Sequence, residues 1–169
     1  QAEERCLLTD AFGEPISVNT VAVAEIFAAK ANALMSRAAA RDLYDFCNMI
    51  DQNTISGKED LFRKCTVFYA TISAKEVNRS FDTAAIDKLS FSRIRTDLFP
   101  VLGVNKKFAL EEKKLQAKEC IASVMMLQDG EKEYMDRFIS KEYRPELLFG
   151  DYEIVERIKN HPMALWKCR

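Results

Sequence analysis

Lys30 stands alone among small and apolar residues, with Phe27, Ala28 and Ala29 before it and Ala31, Asn32 and Ala33 after it. A lysine ammonium is a compact point charge suited to a triphosphate, and small neighbours let a ligand approach it closely. Arg37 follows seven residues on, on the same face of a continuous helix. A second cation on that stripe suits phosphates or an RNA backbone. Arg41, Asp42 and Asp45 come next at helical spacing. A carboxylate near the start of a helix is favoured by the helix dipole and can act as a general base or orient a hydroxyl. The same residues also admit plainer roles. Lys30 could be a solubilising lysine, the aspartates a solvated helix start, and Arg41–Asp42 a surface pair worth under about 1 kcal/mol.

Two helices must position these groups. Alanines and Leu34 favour a helix from Ala24 to Arg37. From Arg41 to Ile50, Leu43, Phe46, Cys47 and Ile50 follow the spacing of one amphipathic face. At about 100° per residue that face centres between Phe46 and Cys47. Asp45 then projects opposite it, Asp42 lies at its flank, and neither is needed for the core. The short link Ala38, Ala39 and Ala40 makes the two helices close neighbours. The sequence therefore predicts that Lys30, Asp42 and Asp45 share one concave surface.

The remaining elements follow from the same reasoning. Ile16, Val18, Thr20, Val21 and Val23 suggest a short extended piece, preceded by turn formers at Thr9, Asp10, Gly13 and Pro15. Ser56 and Glu59 form a capping box in sequence, ahead of Leu61, Phe62, Cys65, Phe68, Tyr69 and Ile72 at helical positions. A connection is expected at 76–80 and short helices at 84–89 and 92–98, the second ending before Pro100. A turn at Gly103 and Asn105 leads to a long helix from Leu110 to Leu127. Gly130 should break that helix before it resumes with Tyr134, Met135 and Phe138 inward. Asp151 should cap a last helix, stopped at His161–Pro162. The expected fold class is mainly α, a compact multi-helix bundle with a short extended or β remnant near the N-terminus. Residues 1–23 are expected to be a partly extended remnant of another core, and 24–169 the helical domain.

Bulk composition narrows the function. The chain has 169 residues, enough for one real core, and its net charge of −1 advertises no global attraction for nucleic acid. Any such binding must use a local patch. The lysine doublets at 106–107 and 113–114 could touch RNA, but Glu111, Glu112 and Glu119 interleave with them as on a solvated face. Cys6, Cys47, Cys65, Cys120 and Cys168 form no C-x-x-C pair and read as reduced thiols of a cytoplasmic protein. With one histidine and no cysteine cluster, a zinc site is not expected. No apolar run approaches the length of a membrane span, and no signal-peptide pattern opens the chain.

The lysine beside small residues, the Arg41-Asp42-x-x-Asp45 motif and a C-terminal block together resemble AbiEii/AbiGii-type, MenT-like nucleotidyltransferase toxins. The block runs from Glu142 through Pro145 and Leu148 to Phe149, then from His161 to Lys167. The resemblance covers roughly Val18 to Lys167. It implies a bacterial enzyme of a toxin–antitoxin or phage-defence pair that transfers nucleotides from an NTP to RNA, with the 3′ end of tRNA as the expected acceptor. It implies Lys30 on the nucleotide phosphates, and Asp42 and Asp45 as the acidic pair, one acting as base or orienting the acceptor hydroxyl; Arg37, by its spacing, and Arg41, beside Asp42, are expected to add phosphate contacts. It implies Mg2+ and NTP for the complete enzyme, and an antitoxin as protein partner. The family's glycine-rich turn and paired metal-binding aspartates have no counterpart here, so the chain is expected to be the C-terminal part of that enzyme, inactive alone and without a metal ligand set of its own. The alternative is a helical module that docks an antitoxin or RNA without chemistry. Leu147, Leu148, Phe149, Met163, Leu165 and Trp166 are expected to be packing anchors, and His161 a core or capping residue.

Overall fold

The computed structural model describes residues 2–6, 17–73, 77, 79–102 and 108–169. The described part is mainly helical. Two short strands, β1 (Ala2–Cys6) and β2 (Ser17–Val21), pair antiparallel with Ala2 opposite Val21 and Cys6 opposite Ser17. Val23, expected in the extended piece, instead opens the first helix. The turn formers at 9–15 and the turn at 103–105 lie outside the described residues, as does part of the connection at 76–80.

Helix α1 (Val23–Ser36) buries Ala24, Phe27, Ala28, Ala31 and Leu34. Its small residues let helix α3 (Glu59–Ser73) come close enough for Asn32 Nδ2 to reach the Thr66 carbonyl at 2.9 Å. Helix α2 (Ala40–Asp51) returns after a turn through Arg37, Ala38 and Ala39, with Ala38 in the left-handed region at φ 46°. Phe27 joins the three helices. Its ring lies 4.7 Å from that of Phe46 and 4.9 Å, edge-on, from that of Phe62.

The expected capping box at Ser56 is not formed. A tight turn through Asn53 and Gly57, both at positive φ, carries the chain to a later start at Glu59, and the Glu59 carboxylate accepts from the Gly57 amide at 3.0 Å. Helix α4 (Ala84–Asp87) is brief. Helix α5 (Phe91–Arg93) runs on through a π-helical turn at Ile94–Leu98 and a 3-10 turn at Phe99–Val101. The chain therefore passes through Pro100 rather than ending a helix before it.

Helix α6 (Leu110–Val124) packs on α2, where Cys47 Sγ donates to the Lys113 carbonyl and Lys113 pairs with Asp51 at 2.8 Å. Helix α7 (Asp129–Ile139) starts one residue before Gly130, so Gly130 lies inside its first turn and does not break a helix. A Cβ there would meet the Leu147 carbonyl at 3.0 Å, which explains the glycine. Gln128 and Glu131 form the capping box of α7. Glu131 also takes both of its oxygens to Arg63 Nε, at 2.8 and 2.9 Å, in a buried bridge from α3. Deeper in the same interface, Tyr134 and Thr71 share a hydrogen bond of 3.1 Å.

Helix α8 (Tyr152–Ile158) is capped by Asp151 as expected. His161–Pro162 ends no helix; it begins another, α9 (Pro162–Lys167), with proline in the first turn where its missing N–H costs nothing. Only Ala164 of α9 is buried. Leu148 and Phe149 are buried anchors, but Met163, Leu165 and Trp166 are exposed, contrary to expectation. His161 packs edge-on against Phe68 at 5.3 Å, in the core-facing role expected of it. Among the described residues, no helix is long and apolar enough to cross a membrane.

Candidate functional site

The α1–α2 hairpin brings four of the five sequence-selected residues into two pairs. Lys30 Nζ lies 2.6 Å from Asp45 Oδ2, with both side chains partly open to solvent. Arg37 grips Asp42 through Nε to Oδ2 at 2.9 Å and Nη2 to Oδ1 at 3.2 Å. Lys30 comes from α1 and Arg37 from the residue that caps its C-terminal end, and both acids come from the first half of α2. The pairs therefore stand like two rungs along one seam. Arg41, the fifth, turns away: its Nε donates to the Asp97 carbonyl in the π-helical turn at 3.1 Å.

The two acids differ in setting. Asp45 is half exposed. Asp42 is only 3% exposed, so the expectation that it merely flanks the core is corrected. Its burial follows from the hairpin, because the left-handed Ala38 folds the Arg37 end of α1 over the first turn of α2. A buried carboxylate requires a partner, and the Arg37 guanidinium supplies a bidentate one. In return the Asp42 hydrogen bond, and then its charge, raise the Arg37 pKa above its already high ordinary value. Arg37 keeps 68% of its side-chain surface exposed, so its remaining N–H groups face solvent.

Beside Arg37 opens a cleft of about 690 Å3 between α1, α3 and α4. Asn32, Ser36, Ser73 and Lys88 line it together with Arg37 and Tyr69. The lining serines, asparagine and Lys88 were not selected from sequence. Ser36, Ser73 and Lys88 are exposed and Asn32 bridges α1 to α3, and only the packing of three helices gathers them. The Tyr69 hydroxyl donates to Glu25 at 3.1 Å, and burial, then the Glu25 charge, push its pKa up to about 12.

The lysine doublet at 113–114 offers no free cationic face. Lys113 pairs with Asp51, and Lys114 is buried beside Glu111. The doublet at 106–107 lies outside the described residues. Among the described residues, no three Asp, Glu, His or Cys side chains group to hold a metal ion. Asp42 and Asp45 each face a cation instead, a setting that does not fit Mg2+.

No curated protein sequence and no solved structure matches the chain. A family model does. Residues 1–137 match that of the nucleotidyl transferase AbiEii toxin of the Type IV toxin–antitoxin system. The matched span holds Lys30, Arg37, Arg41, Asp42 and Asp45, and ends before the block at 142–167. It covers well over half of the sequence, and the chain belongs to the AbiEii nucleotidyl transferase toxin family.

Proposed function

We propose that the chain is the helical C-terminal portion, residues 24–169 after a core remnant at 1–23, of a toxin that transfers nucleotides from an NTP to RNA at the 3′ end of tRNA. The observation that carries this is the seam of α1 and α2, which sets Lys30 beside Asp45 and Arg37 beside Asp42 within the family-matched span. In nucleotidyl transfer the acceptor oxygen attacks the α-phosphorus, pyrophosphate leaves, and the acceptor proton passes to a base. Lys30 and the free edge of Arg37 offset phosphate charge. When Lys30 turns to a phosphate, it releases the Asp45 carboxylate to accept a hydrogen bond from the acceptor hydroxyl. Asp42, buried behind Arg37, is a positioning residue. Mg2+ belongs to the complete enzyme in this reading. The described residues offer it no ligand set.

The test is binding of a fluorescent nucleoside triphosphate, followed by anisotropy. Saturable binding that weakens at least about tenfold in Lys30→Ala is expected, the loss of one charge-assisted contact. No saturable binding, or a Lys30→Ala variant that binds like the parent, overturns the reading and leaves the docking-module alternative. With labelled NTPs, Mg2+ and total tRNA, the chain alone is expected to transfer no label, since its sequence holds no Asp-x-Asp pair.

A further inference from the structure

A chain of net charge −1 attracts a polyanion only through a local patch. Over much of the described surface lysines and arginines face carboxylates, as in Lys64–Asp60, Lys118–Asp87 and Arg144–Glu146. The groove between the end of α7 and α9 differs. It measures about 570 Å3, and Phe138, Ile139, Lys141, Trp166, Lys167 and Arg169 line it with no Asp or Glu side chain among the described residues. Trp166 is 64% exposed at its wall, an unusual position for the largest apolar side chain.

Lys141 sits at positive φ just past α7 and sends its Nζ to the Lys167 carbonyl at the end of α9. An ammonium carries three donors, so this bond leaves two. Lys167 donates to the Thr71 carbonyl at 3.1 Å and forms the floor. Burial, then the Lys141 charge, lower its pKa.

We propose that this groove docks single-stranded RNA, with one base stacked on the Trp166 indole and the flanking phosphates on Lys141 and Arg169. A projecting indole beside cations, with no Asp or Glu side chain in the described lining, is the composition of a stacking platform. An acidic peptide would match the charge but leave the indole without a planar partner. The inference rests on the proposed function only for RNA as the acceptor; the groove is built from other residues than the α1–α2 seam.

The chain has one tryptophan, so its emission reports on this groove alone. Titration with a single-stranded RNA dodecamer in low salt is expected to quench it. With labelled RNA followed by anisotropy, Trp166→Ala should weaken binding about 5- to 100-fold and Trp166→Phe should restore most of it. Arg169→Gln should flatten the plot of log affinity against log salt by about 0.7, the loss of one phosphate contact on a single strand. Absent quenching, parental RNA affinity in Trp166→Ala, or equal competition by polyglutamate of the same length overturns the proposal. Lys30→Ala should leave RNA binding intact and Trp166→Ala should leave triphosphate binding intact, so failure of either proposal is read separately.

Discussion

Arg37 and Asp42 are five residues apart in sequence, and the turn at Ala38 folds them into a two-bond clamp across the end of a helical hairpin. The clamp joins an exposed cation to a buried acid. The neighbouring Lys30–Asp45 pair joins two partly exposed groups. The pairs should therefore respond differently to substitution. Asp45→Ala is expected to cost less than about 1 kcal/mol, as for a screened surface pair. Asp42→Ala should cost more, because Asp42 fills a buried position in the first turn of α2. Urea melts of the two variants decide it, and equal destabilisation contradicts the assigned burial.

The Arg63–Glu131 bridge is the most buried ion pair described; removing Glu131 leaves the Arg63 Nε buried without its acid, the guanidinium still held at Nη2 by the half-exposed Asp60. Glu131→Ala is expected to cost about 3–5 kcal/mol. The double replacement Arg63→Met, Glu131→Met should recover much of that loss, since apolar side chains of similar volume remove both desolvation costs. Chemical denaturation of single and double variants measures it. A double variant as unstable as the single one would show that the bridge is a net stabiliser.

Phe46 packs at a tilt against Phe27 where α1 and α2 meet, with no exposed surface. Phe46→Ala should cost about 3–5 kcal/mol through lost burial and a cavity. The same melts read it, and a cost below that of Asp45→Ala would mean the phase of α2 is wrong.

Alkali should destabilise the fold. Burial pushes the Cys47 and Cys65 thiols from their usual 9.0 up to about 12. Above pH 9.0 the unfolded thiols lose protons while the folded ones keep them, so proton release favours the unfolded chain. The stabilisation is complete below that pH and is lost as pH climbs toward about 12, with Tyr69 adding in the same direction from its usual 10.0. Thermal melts at pH 8 and 10.5, taken under reducing conditions, should show a lower Tm at the higher pH. A Cys47→Ala, Cys65→Ala variant should show a smaller fall, and an undiminished fall would assign the effect elsewhere.

Where apolar spacing is local, the fold was legible. Leu43, Phe46 and Cys47 marked the buried face of α2, and Phe62, Cys65, Phe68 and Ile72 that of α3. Punctuation was less so. Gly130 answers to the Leu147 carbonyl, a contact with no trace in its own helix, and Pro162 opens a helix where proline suggested only a stop. In the candidate site, residue types and spacing were readable, but partners were not. Lys30 meets Asp45 because the hairpin returns at one angle, and Arg41 is drawn off by a carbonyl 56 residues away. The tail misled for a related reason. Met163, Leu165 and Trp166 have the composition of a core, yet α9 turns only Ala164 inward.

Ala38 carries one more consequence. An alanine in left-handed backbone, with its methyl buried, is a stiff corner, whereas glycine there would be a loose one. That left-handed corner costs about 1–2 kcal/mol, and the packing of α1 on α2 holds it in place like a bracket. A ligand that enters the seam meets two ion pairs and must exchange with one of their partners. High salt should unfasten the outer Lys30–Asp45 rung first and leave the bracket closed.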